Sequence, residues 1–353
     1  MNIRKVLINI LCSFIPGKQR RRRIRNVLLI RISQRLVHIE LCDKNFVNKF
    51  EVDDQRLLSV LKSLGSFRYI PNPGNLGDCL IGAATFQFFK RHHLLSSITN
   101  ENNCENIVYG GGGAWVGALY PEACLPALFL FEKAKKIVIL PSSVFDCSML
   151  TDVLDSRFIV FCRERKTYQY LKGLNTEAKI YIDSDMALRM DESIFDVTFL
   201  SNDFYLKRAL AVRDKIKDIG NIACFFREDV EKCNNVQTDY DLSAAFSPNM
   251  NVDECKFATA LMLSVVDQFD VIATDRLHVG IAAILMGKEV YLFDNSYGKI
   301  SSVYEHSFSK MSNVHLCRDV DLLKIKQLKR NEKESTNNLL RLINALAGAD
   351  VNL

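Results

Sequence analysis

The sequence predicts an α/β protein built from two doubly wound units with parallel sheets, and three observations carry that reading. From residue 67 onward, short apolar runs alternate with longer helical stretches, the order from which parallel sheets are assembled. Polar and glycine-rich clusters fall at the carboxyl ends of those runs, where open parallel sheets hold their ligands. A length of 353 residues exceeds one ordinary core and suggests about two domains, while 48% hydrophobic and 25% charged content is that of a globular protein.

The front of the chain differs from its body. Residues 1–35 contain ten Lys or Arg and no acid, so against a net charge of +5 the remainder carries −5. An apolar run at 6–15 precedes Pro16-Gly17 and the cluster Lys18-Gln19-Arg20-Arg21-Arg22-Arg23-Ile24-Arg25. That run is shorter than the ~20 residues a spanning helix needs. The basic cluster follows it rather than precedes it, and no small-x-small cleavage site appears, which argues against a secretory signal. Residues 1–26 therefore read as a basic amphipathic segment lying on an anionic membrane surface. A solvated charge run or a nucleic-acid arm shares this composition; the membrane surface is the expectation, and no nucleic-acid partner is assigned. The expected location is cytoplasmic, peripheral at the inner face of the membrane.

The eleven cysteines form no CxxC pair, and Cys79, Cys162 and Cys224 sit inside apolar runs, so reduced, buried thiols are expected. HExxH and paired Cys/His spacings are missing, and no metal site is assigned. Residues 27–65 mix apolar and charged pieces without a motif and read as an elaboration of a first domain, 27–185. In that domain, strands are expected at 67–70, 106–109, 137–140, 157–161 and 179–182, with helices at 79–92, 121–135 and 163–171 between them. A second domain, 186–318, begins with a join at 186–220. It continues with a strand at 221–226, a helix at 252–269, a strand at 271–273, a helix at 276–286 stopped by Gly287, and a strand at 288–293. Residues 319–353 read as closing helices.

Candidate ligand-binding residues sit at the strand ends. In the loop PNPGNLGD at 71–78, Gly74 would let the backbone approach a ligand, while Asn75 and Asp78 offer side chains at a helix start; ordinary turn chemistry accounts for the same residues. The run of four glycines at 110–113 exceeds what a turn needs, and the amides of Gly111, Gly112 and Gly113 suit an anion-binding nest. Arg163 and Arg227 each follow a strand and deliver a guanidinium toward the cleft. Asp183-Ser184-Asp185 suits either a divalent cation beneath a nucleotide diphosphate or the cap of a following helix. The densest cluster is Asp275-Arg276-Leu277-His278, placed in the first turn of a helix, followed by the donor-rich loop Asp294-Asn295-Ser296-Tyr297-Gly298-Lys299. Guanidinium, imidazole and ammonium groups beside a helix N-terminus favour a phosphorylated or carboxylated small molecule. GxGxxG with its acidic partner and GxxxxGK[ST] are both missing, which argues against dinucleotide and P-loop chemistry.

In order and spacing these segments resemble the polysaccharide pyruvyl transferase family. The resemblance covers about residues 67–306: GNLGD, GGGGAW, LPSS, CRER, DSDMA, TDRLH, then GK and DNSYGK. It implies a two-domain GT-B-like fold with the Rossmann-like halves facing a cleft. It also implies transfer of a pyruvyl group from phosphoenolpyruvate to sugar hydroxyls, commonly as a cyclic ketal, in surface-polysaccharide assembly. Phosphoenolpyruvate is then the donor substrate and no cofactor is needed. Carried over residue by residue, Arg276 becomes the donor-binding arginine and His278 the catalytic histidine. The basic front lies outside the shared region and would suit a saccharide acceptor carried on a membrane lipid. Two other readings remain open: a GT-B glycosyltransferase using a nucleotide sugar, and a catalytically silent partner in a polysaccharide assembly complex.

Overall fold

A computed structural model describes residues 35–41, 46, 50, 52–100, 104–117, 120–232, 237–317 and 338–347. The basic segment 1–26 lies outside these residues. The larger sheet has six parallel strands: β2 (Arg68–Ile70), β3 (Asn106–Tyr109), β5 (Lys136–Phe145), β6 (Phe158–Cys162) and β7 (Lys179–Ile182) in that order, with β4 (Gly112–Val116) joined to the distal part of β5. A second parallel sheet runs β9 (Ile222–Phe225), β10 (Val271–Thr274), β11 (Glu289–Phe293) and β12 (Val314–Cys317). Neighbouring strands in both sheets follow chain order, so the reversal of order that marks a doubly wound sheet is not found among the described strands. The fold is mixed α/β with parallel sheets.

Alternating side chains send the larger sheet's strands into two cores. Ile107, Ile137, Ile139, Phe158 and Val160 pack with α3 (Pro121–Phe131) on one face. Val108, Val138, Leu140 and Phe161 join a larger core with α2 (Leu76–Arg91), α7 (Val252–Val266) and α8 (Leu277–Leu285). Apolar residues on all sides of these helices are therefore satisfied: α2 and α7 pack against each other between the two sheets. Cys79, Cys162 and Cys224 are buried, as their apolar settings implied.

Local chemistry sets the helix ends. A capping box starts α2: the Asn75 carboxamide accepts from the Gly77 amide at 2.8 Å, and Asp78 Oδ2 accepts from the Asn75 amide at 2.9 Å. Gly287, at φ +66°, closes α8 as expected, its N–H bonding to the Ile284 carbonyl at 3.0 Å.

Other elements differ from the sequence reading. Strand β5 does not stop before Pro141 but continues to Phe145; its pairing with β6 shifts register between Ile139 and Ser142, which accommodates the missing proline N–H. The 186–220 join contains β8 (Asp196–Ser201) and α6 (Asp203–Ile216). Strand β8 pairs antiparallel with β1 (Arg35–Glu40), placing part of the 27–65 stretch against the join. Of the closing segment, α10 (Asn338–Ala347) is described and packs on α6, α7 and β1.

Candidate active site

A cavity of about 500 Å³ is lined by residues that follow strands of both parallel sheets. Gly74, Asn75 and Asp78 come after β2, Arg163 after β6, Arg227 after β9, Arg276 and His278 after β10, and Lys299 after β11, while Gly113 lies in β4. The polar groups divide into a basic cluster around Arg163 and a larger network of arginines and acids.

Arg163 is fully buried immediately beyond β6. Its Nε donates to Ser143 Oγ at 2.8 Å and its Nη1 to Asp185 Oδ2 at 2.8 Å. His278 enters from the first turn of α8, with Nε2 at 3.5 Å from both Arg163 Nη1 and Asp185 Oδ2. Two glycines make this arrangement possible. A Cβ on Gly77 would lie 2.7 Å from His278 Nδ1, so the imidazole packs against bare backbone of α2. A Cβ on Gly113 would lie 2.9 Å from Arg163 Nη2 and 3.5 Å from Lys299 Nζ. Gly113 therefore packs directly against both cations, and since Gly113, Arg163 and Lys299 all line the cavity, an anionic ligand in it can approach both.

Asp78 faces the same space. Burial pushes its carboxyl above the usual range, opposed by His278, the Asn75 amide, Arg163 and Lys299. Burial also acts to raise Asp185, but the His278 hydrogen bond and the Arg163 charge outweigh it and hold that carboxyl well below the usual range.

The second network is formed by Arg227, Arg276 and acids of the chain following β9. Arg227 grips Asp229 through Nε at 2.7 Å and Nη2 at 3.1 Å, and Glu231 through Nη1 at 2.6 Å. Arg276 bonds Asp241 through Nε at 3.0 Å and through Nη2, and Asp229 through Nη1 at 2.7 Å. Glu231 also accepts from Asn295 Nδ2 at 2.8 Å, from Lys299 Nζ at 3.2 Å and from the Tyr120 hydroxyl. Burial favours its neutral form, yet Lys299, Arg227 and these hydrogen bonds bring its carboxyl down to about 2.

The family model for polysaccharide pyruvyl transferase matches residues 75–297, the span that supplies most of this lining. The chain belongs to the polysaccharide pyruvyl transferase family. It is accordingly a transferase of polysaccharide biosynthesis. No curated protein matches the sequence. Among solved structures, it is similar to an uncharacterized protein from Klebsiella pneumoniae subsp. pneumoniae, with 29% identity and a TM-score of 0.60 over 75% of this chain and 98% of that one.

In this pyruvyl transferase, the sequence-assigned Gly74, Asn75, Asp78, Gly113, Arg163, Arg227, Arg276, His278 and Lys299 all reach the cavity. Gly111, Gly112, Asn295 and Ser296 do not line it. Gly112 begins β4 at φ +138°, so the run of glycines enters a strand rather than forming a loop. Asn295 is buried behind the site, bonding Glu231 and accepting from the Lys299 amide at 2.9 Å, while Ser296 is exposed. Arg276 is the extended N-cap of α8 and not part of its first turn; the Thr274 hydroxyl accepts its amide hydrogen at 3.0 Å. The pair in Asp183-Ser184-Asp185 splits, because Asp183 bonds Arg189 at 2.6 Å while Asp185 turns toward Arg163. Sequence reasoning missed Asp229, Glu231, Asp241, Ser143 and Tyr120. The available signal for the first two was their place two and four residues beyond Arg227, at a strand end already suspected.

Proposed function

We propose that this pyruvyl transferase takes its pyruvyl group from phosphoenolpyruvate and forms a ketal with two hydroxyls of a saccharide. The observation that carries this reading is the convergence of Arg163, Lys299 and His278 on one cavity, with Gly113 packed against the two cations. Phosphoenolpyruvate brings a phosphate and a carboxylate, which match a guanidinium and an ammonium. Arg276 lines the same cavity, and its fork is already engaged by Asp241 and Asp229, so its contribution to donor binding comes with those acids attached.

His278 serves as the acid. It gives a proton to the methylene carbon, converting it to methyl and leaving C2 electrophilic. One sugar hydroxyl adds to C2 and releases its proton; the C2–O bond to phosphate breaks; a second hydroxyl then closes the ring and releases its proton. Asp78 is the candidate acceptor for a hydroxyl proton, since its buried carboxyl is more basic than an ordinary one. Strand ends of both parallel sheets contribute to the cavity, which supports a GT-B-like arrangement of units at 27–185 and 186–318. A lipid-linked acceptor would suit the basic residues 1–26, which would hold the protein at the inner face of the membrane.

The test is a thermal-shift screen with phosphoenolpyruvate against a panel of nucleotide sugars. The true donor at 100 times its Kd stabilises by about 2.7 kcal/mol. Stabilisation by phosphoenolpyruvate, with phosphate release when a saccharide is added, is the expected result; stabilisation by a nucleotide sugar alone would establish glycosyl transfer instead.

A further inference from the structure

We propose that Asp185 is a positioning residue that fixes the distance between the donor-holding Arg163 and the acid His278. The proposal rests on the roles given to those two residues above.

The two oxygens of Asp185 do different things. Oδ1 accepts from the Ala187 amide at 2.8 Å, capping the short turn Met186–Arg189. A cap of this kind needs only an oxygen, and asparagine or serine serves as well as aspartate. A charge is therefore surplus to it, in a side chain with no solvent exposure. Oδ2 accounts for the charge: it takes Arg163 Nη1 at 2.8 Å and lies 3.5 Å from His278 Nε2. Those partners follow strands of different sheets, β6 and β10, so this one oxygen links the halves of the basic cluster.

The support beneath Asp185 is rigid. Met186 and Ala187 are fully buried on one side of it. The buried Arg189 ties down the backbone around it, donating to the Ser184 carbonyl at 2.9 Å, to Asp183 Oδ1 at 2.6 Å and to Asp54 Oδ1 at 2.8 Å. His278 is held from the opposite side by the bare backbone of Gly77. A carboxylate fixed by its own turn and shared by the guanidinium and the imidazole of the reacting site is the arrangement that holds an acid and an anion holder in register.

Asp185→Asn keeps the capping oxygen and the shape while removing the charge. The experiment measures phosphoenolpyruvate binding by calorimetry and turnover by phosphate release for wild type, Asp185→Asn, His278→Gln and the double variant. The expected result is a folded Asp185→Asn protein with kcat lower by roughly 10²-fold, the scale of a small misplacement of reacting groups. In the His278→Gln background the same change should cost far less, because the histidine it orients is already gone. Wild-type turnover and donor affinity in Asp185→Asn, or a double variant whose loss is the product of the single losses, would overturn the proposal. Asp185→Ser, which also keeps a capping oxygen, is the second variant; if neither folds, the carboxylate belongs to the fold and the proposal fails. Absence of phosphoenolpyruvate binding in wild type would instead defeat the donor assignment itself, so the two failures are distinguishable.

Discussion

Asp78 holds its carboxylate where ionisation is costly. Burial raises its folded pKa, so its contribution to stability is full below the ordinary carboxylate range and is lost as pH rises through the raised value. At neutral pH the burial of this carboxyl therefore weighs against the fold. Asp78→Asn should raise the melting temperature at pH 7, with a smaller gain at pH 4, while lowering turnover by roughly 10²–10⁴ if Asp78 accepts the hydroxyl proton. A melting temperature unchanged or lowered at pH 7 would contradict the electrostatic account. At this scale the sequence was informative where a residue's position followed from its own strand end, as for Arg163, Arg227 and Lys299. Asp185 was legible as a cap, which it forms on the turn Met186–Arg189, but its link to Arg163 and His278 was not, because those partners meet it only through the fold.

The element that most changes the sequence picture is the chain from Arg227 to Asp241. Its acids engage two of the three cavity arginines, Arg227 and Arg276, the latter with Asp241 across 35 residues of sequence. That pairing has no periodic signature, which explains why Arg276 read as a free donor clamp. Removing one member of a buried pair leaves the other charge uncompensated and costs about 3–5 kcal/mol. Arg276→Ala should therefore lower thermal stability as well as donor affinity, whereas a pure donor clamp would leave the apo melting temperature nearly unchanged; calorimetry and thermal melts on one preparation separate these. The strand–helix–strand reading of residues 271–293 was legible because a short apolar run, a helical stretch and Gly287 are local signals. Continuation of β5 through Pro141 was not, since a proline argues against a strand unless a register shift accommodates it.

For the whole molecule, the alternation of strands and helices revealed the α/β class, but not that the strands follow chain order or that α2 and α7 build a core between the sheets. Such relations depend on which apolar faces meet, and periodicity cannot say so. Among the described residues no helix is long and apolar enough to cross a membrane. The proposed membrane attachment falls to residues 1–26, whose eight basic residues are each worth about 1 kcal/mol near an anionic surface. Deleting residues 1–26 should abolish sedimentation with anionic vesicles at low salt without shifting the melting temperature, and full-length protein that ignores such vesicles would refute the attachment. The central claim is that phosphoenolpyruvate is the donor and His278 its acid. The most direct measurement is phosphoenolpyruvate binding and phosphate release by His278→Gln beside wild type. Donor binding close to wild type with kcat reduced by roughly 10²–10⁴ is the predicted result; unchanged turnover would contradict it.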